Sequence, residues 1–134
     1  MVPCTIHAAI DKGAAYFNIE VRKARLNEHY EADVEHMEQL IDSNTIAMYC
    51  SYPNYPHGIV DPIQDIAHLA LKYKVPLHID ACLGGFVAAF LPDHKDKLSL
   101  DIEGVTSISL DHHKYALAPK GISTVFFKTS EMRQ

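Results

Sequence analysis

The stretch 105-VTSISLDHHKYALAPKGISTVFF-127 carries two apolar, β-prone runs, VTSISL and ISTVFF. Between them stand an acid, two imidazoles, a lysine and a Pro-Lys-Gly turn. The connection is too short for a helical crossover, so the second run is expected to turn back antiparallel to the first, or at least not to continue a βαβ pattern. Asp111, His112, His113 and Lys114 then crowd the lip of a buried strand. Such a cluster is costly to desolvate unless its members are paired or put to use.

Upstream, apolar periodicity changes from strand-like to helical and back. TIAMYCS (45–51) and VPLHID (75–80) read as strands, and Asp61-Pro62 opens a helix with Asp61 as cap and Ile63, Ile66, Ala67 and Ala70 on its buried stripe. A Tyr- and Pro-rich loop, SYPNYPHGIV, precedes that helix. Asp33 starts another helix with Val34, Met37, Leu40 and Ile41 at helical spacing. Residues 19–24 alternate and predict a short strand. Thr5 is placed to cap a first helix over 8–17, with Ile10, Ala14 and Phe17 on one face. Strands alternating with helices from 45 to 110 imply a mostly parallel sheet in an α/β domain.

The 134 residues bound at most one domain, and 48% hydrophobic against 22% charged is a globular balance. A net charge of −5, with no basic run longer than a pair, argues against nucleic acid or an anionic membrane as partner. No segment reaches the roughly 20 apolar residues of a membrane span, and none reads as a signal peptide. Cys4, Cys50 and Cys82 lack zinc spacing and read as reduced core thiols facing a cytosolic environment. The chain starts close to a helix and stops right after a strand, so a piece of a larger domain is expected.

In an open parallel sheet, ligands bind beyond the carboxyl ends of the strands. Three polar points fall there: Ser51, Asp80, and the His112-His113-Lys114 cluster. A lysine between apolar strands would have a desolvated amine, which frees a nucleophile for a Schiff base. A carboxylate on a neighbouring strand end suits a pyridinium nitrogen, which is what proteins supply to pyridoxal 5'-phosphate. Gly84 and Gly85 would let backbone approach closely. His78 and Asp80 share a strand face and are placed to chelate, although a His bonded to backbone is the simpler reading. Asp111-His112-His113 also spells the DHH of manganese phosphoesterases, but the further aspartate-rich motifs of that family are not evident.

The segment 77-LHIDACLGGF-86, with HKY-x-x-APKG beginning 33 positions after its Asp, resembles the sphingosine-1-phosphate lyases, within the pyridoxal-phosphate-dependent group II decarboxylase superfamily. The opening IHAAIDKGAAYF and the loop 50-CSYPNYPHGIVDPI-63 are similar to that family too. The resemblance implies the fold-type I, aspartate aminotransferase-like large domain, of which residues 1–134 would be the central part. The segment that cradles the cofactor phosphate would lie upstream and the small domain downstream. It implies that Lys114 forms the Schiff base and that Asp80 pairs with the ring nitrogen. It also implies that His7 stacks on the ring, that His113 lies near the phosphate, that Ser51 approaches the cofactor, and that Lys120 acts near the substrate. No metal is implied.

The implied reaction is retro-aldol cleavage of a sphingoid-base 1-phosphate to a fatty aldehyde and phosphoethanolamine. A homodimer is implied as well, facing the cytosol, at the endoplasmic reticulum membrane if the parent is an anchored eukaryotic enzyme. The family's Asp-Thr-His-Lys-Tyr-Gly-Tyr reads here with His112, Ala116 and Leu117 at three positions, which opens the substrate to question. The alternatives are an amino-acid decarboxylase of the same superfamily and an inactive fragment or paralogue serving as an interaction module. The isolated 134 residues are expected to be inactive.

Overall fold

The computed structural model describes residues 1–94 and 97–133. Among the described residues there are six strands: β1 (Val2–Pro3), β2 (Lys23–Ala24), β3 (Met48–Ser51), β4 (Leu77–Asp80), β5 (Val105–Asp111) and β6 (Ser123–Phe127). Four helices lie among them: α1 (Ala9–Tyr16), α2 (Val34–Leu40), α3 (Ile63–Tyr73) and α4 (Gly85–Ala88). Strands β3, β4 and β5 are parallel neighbours, and β6 closes that sheet antiparallel to β5, as the short connection requires. The parallel pair β1–β2 lies beside β3, joined by hydrogen bonds from Met1 N to Ala47 O and from Tyr49 N to Met1 O.

The pleat separates two faces. Met48, Cys50, Leu77, Ile79 and Ile108 line one and form the core with Ile63, Ile66, Ala67 and Ala70 of α3. Helix α4 packs on the same face, where Gly85 and Ala88 meet Leu110 and Phe126. Helix α1 lies on the other face, its Ile10, Gly13 and Ala14 bordering a cavity with Tyr49. Helices thus cover both faces of a mostly parallel sheet, as expected.

Several local expectations are corrected. The helix α3 starts after Pro62, with no side-chain cap; the Asp61 carboxylate is drawn instead to the backbone amides of Ala32 and Ser51, at 3.0 and 2.7 Å. Two buried amides outcompete a helix end for one anion. Thr5 does not cap α1 either. Its hydroxyl is buried without a partner, and His7 Nδ1 accepts from Ala9 N. The strand over 19–24 shrinks to Lys23–Ala24, because only those residues pair with β1. Phe17 is exposed rather than packed with Ala14, and Cys4 is exposed rather than in the core. Asp33 does cap α2, accepting from His36 N at 2.9 Å.

Candidate active site

Ser51 ends β3, Asp80 ends β4 and Asp111 ends β5. The register sets Ser51 opposite Asp80 and Asp80 opposite Ser109. Laterally paired residues in a sheet project from one face. That face carries a second polar row one pleat back, Tyr49, His78 and Ser107. The stripe therefore runs across three strands and reaches their carboxyl edge.

Asp80 Oδ1 accepts from Cys82 N at 3.1 Å and from Ser109 Oγ at 3.4 Å; its Oδ2 has no partner among the described residues. His78 bonds two hydroxyls, Ser107 through Nδ1 at 2.8 Å and Ser109 through Nε2 at 3.1 Å. The expectation that this histidine bonds backbone is thereby corrected: in the parallel register, the neighbouring strand offers it side chains. Burial, opposed in part by the charge of Asp80, pushes the His78 pKa down. Burial also pushes the Cys82 thiol up to about 12, aided by the nearby Asp80 and Asp111, so it is no nucleophile near neutral pH.

The strand end turns sharply at 112–116. Lys114 Nζ lies 2.9 Å from Asp111 Oδ2 and is about one third exposed. The expected solitary, desolvated amine is thus an ion-paired one. Burial alone would raise the Asp111 carboxyl; hydrogen bonds from Ser123 and Lys114 outweigh it and hold its pKa below the ordinary value. His113 Nδ1 lies 2.8 Å from the Ile122 carbonyl and donates to it, with Nε2 3.7 Å from Asp111. His112 points to the opposite face, against Phe86 and Thr124. Alternation along the strand thus splits the Asp-His-His run. Among the described residues, no three His, Cys, Asp or Glu converge where a metal ion could be held.

The structure thus brings Asp80, His113, Lys114 and Ser51 to one sheet edge. Lys120 sits exposed in the turn leading to β6 and makes no ion pair among the described residues. His7 is exposed after β1; its ring meets Tyr55 edge-on at 5.9 Å. Two further histidines are engaged: His36 accepts from Arg25 N, and His94 bonds the buried Tyr52 hydroxyl. Sequence reasoning passed over Ser107, Ser109, Cys82 and the pairing role of Asp111. The signal was present in the period-two polar positions of VTSISLD. A cavity of about 630 Å³ lies away from these side chains, between α1 and residues 42–47.

The glycines after Asp80 fix how closely α4 approaches. A Cβ on Gly84 would lie 2.6 Å from Pro53 Cδ and 2.7 Å from the Tyr52 carbonyl, beside the cis Tyr52–Pro53 bond. The expected close backbone approach is therefore real, and it seats the loop after β3 against the segment that follows Asp80.

The family profile described as "Pyridoxal-dependent decarboxylase conserved domain" matches residues 3–134. Sphingosine-1-phosphate lyase 1 of Mus musculus is 42% identical over 137 residues, which is 99% of this chain and 24% of the mouse protein. A probable L-tyrosine/L-aspartate decarboxylase of Methanothrix thermoacetophila is 40% identical, covering 98% of this chain and 34% of its own. Among solved structures, a sphingosine-1-phosphate lyase of Burkholderia pseudomallei superposes with a TM-score of 0.93 at 33% identity, over 99% of this chain and 32% of that one. The chain spans about a quarter of the length of the mouse relative. The match to the family profile extends over nearly every residue, including both strand ends that carry Asp80 and Lys114, and the chain belongs to the pyridoxal-dependent decarboxylase family.

Proposed function

We propose that this chain is the central part of the large domain of a pyridoxal-phosphate-dependent lyase that cleaves a sphingoid-base 1-phosphate to a fatty aldehyde and phosphoethanolamine. The observation that carries it is the placing of Asp80 and Lys114 at neighbouring strand ends of one face, with Ser109 bonded to Asp80 and Asp111 paired with Lys114. The identities of 42–47% to sphingosine-1-phosphate lyases support the choice of substrate.

The residues present fit the cofactor. Asp80 offers, among the described residues, an unshared carboxylate oxygen for a protonated ring nitrogen, while its other oxygen is held by the Cys82 amide and the Ser109 hydroxyl. When bound, pyridoxal phosphate supplies the electron sink for the carbanion left as the C2–C3 bond of the substrate breaks. Lys114 would be the amine that holds the cofactor. Asp111 tethers that amine at the end of β5. His113, fixed by the Ile122 carbonyl, is assigned to the phosphate side of the cofactor, and His7 to its ring face. Ser51 lines the edge beside Asp80. Lys120 stands on an exposed turn, free to meet the substrate phosphate or the C3 hydroxyl. The full-length protein is proposed to be a homodimer, with the active site facing the cytosol. Among the described residues no helix is long and apolar enough to cross a membrane.

A second reading, amino-acid decarboxylation, is favoured by the Methanothrix relative and by Leu117, which is 89% exposed where the lyase pattern has a tyrosine. Both reactions use Asp80 and Lys114, so the products decide. The full-length protein containing this chain should release fatty aldehyde from a sphingoid-base 1-phosphate, and Lys120→Ala should abolish that release. Borohydride reduction with the cofactor, followed by peptide mapping, should label Lys114 in both proteins. Carbon dioxide from an amino acid, with no aldehyde, would establish the decarboxylase; label on another lysine would refute the assignment of Lys114.

A further inference from the structure

We propose that His78 and Ser109 are positioning residues that orient the Asp80 carboxylate; this rests on the reading of Asp80 as the partner of the ring nitrogen. An ionised carboxylate only accepts, so Ser109 spends its single hydroxyl proton on Asp80 Oδ1, at 3.4 Å. Ser109 Oγ must then accept from its other two neighbours, His78 Nε2 at 3.1 Å and Cys82 Sγ at 3.2 Å. Its two lone pairs are filled by those donors. His78 therefore carries its proton on Nε2, and Nδ1 accepts from Ser107 Oγ at 2.8 Å.

Every bond in this chain points one way, from Ser107 through His78 and Ser109 to Asp80. Together with Cys82 N, which donates to the same oxygen at 3.1 Å, it fixes the rotation of the carboxylate and leaves Oδ2 clear. The desolvated imidazole is held neutral, as the chain needs, with Tyr49, Asp80 and the two serines among its polar surroundings. Removing the Ser109 hydroxyl strands the Nε2–H and leaves Oδ1 with one backbone donor, so the carboxylate is free to turn.

The test uses the full-length protein containing this chain, with His78→Leu, His78→Gln, Ser109→Ala and Asp80→Asn. Leu fills the volume of His78 without bonding, whereas Gln keeps one donor and one acceptor. Ser109→Ala and His78→Leu should lower kcat by about ten- to a hundredfold, as loss of an orienting hydrogen bond does elsewhere, with KM changed by less than about threefold. Both should move the pH midpoint of the bound cofactor's absorption, and His78→Gln should restore most of the loss. In protein free of cofactor, nitrogen-15 spectra of labelled histidine should show His78 neutral and protonated on Nε2 between about pH 6 and 8. If Ser109→Ala fails to fold, that tautomer decides the matter.

The inference is overturned if folded, loaded Ser109→Ala and His78→Leu keep the original kcat and spectral midpoint. It is equally overturned if Leu serves better than Gln at position 78, or if the proton sits on Nδ1. An impaired Asp80→Asn beside an unimpaired Ser109→Ala refutes this inference alone. An unimpaired Asp80→Asn refutes the reading of Asp80 on which it stands.

Discussion

Asp61 joins two backbone amides from distant parts of the chain, those of Ala32 and Ser51. The residue is 2% exposed, and burial raises its carboxyl from 3.8 to about 6, against the pull of the two amides. A folded pKa above the unfolded one means that this group's stabilising contribution is complete below about pH 4. It is then lost as the pH rises through about 6. A shift of two units corresponds to about 3 kcal/mol. Asp61→Asn should therefore flatten the pH dependence of unfolding between about pH 4 and 6. An unchanged slope in denaturant titrations at several pH values would show that Asp61 is not the source. Asp61→Ala should also expose the Ala32 and Ser51 amides to hydrogen exchange. The Asp-Pro pair was plain in the sequence, but its use was not. Cap preference is a local signal, whereas the amides that win this carboxylate arrive from 29 residues upstream and from β3.

Helix α4 is a single turn and relies on contact with β5. A Cβ on Gly85 would fall 1.9 Å from Leu110 Cδ2 and 3.3 Å from Ala81 Cβ. Gly85→Ala should destabilise the protein by about 1–3 kcal/mol, the usual range for overpacking. Since the obstructing atom is the end of one side chain, Leu110→Ala should recover part of that loss. A double-mutant cycle measures this, and strictly additive effects would show that the clash is relieved elsewhere. At this scale the long periodic elements, α2, α3 and β3 to β6, were legible from their apolar spacing. The pair β1–β2 was not, because two residues carry no period and exist as strands only by pairing.

Among the described residues β6 pairs only with β5, and it presents Val125 and Phe127 at 48% and 40% exposure. An apolar strand with an unpaired edge invites further pairing. The 134-residue chain by itself should therefore self-associate at micromolar and higher concentrations. Sedimentation should show the mean mass rising with concentration, and Val125→Lys with Phe127→Lys should suppress the rise. A chain that stays monomeric throughout would mean that the edge is protected by the twist or by the turn at 116–121.

The sequence by itself determined the alternation of strands and helices and the antiparallel return of β6. It also determined the motif pair around Asp80 and Lys114, since these depend on spacing along one chain. Only the tertiary structure decided which side chains face one another. The one-step register between β4 and β5 puts Ser109 beside both His78 and Asp80, the turn after β5 brings Lys114 back onto Asp111, and the pleat sends His112 to the far face. A slip of one residue would exchange the two faces of a strand, and register is set by core packing across strands rather than by any local preference.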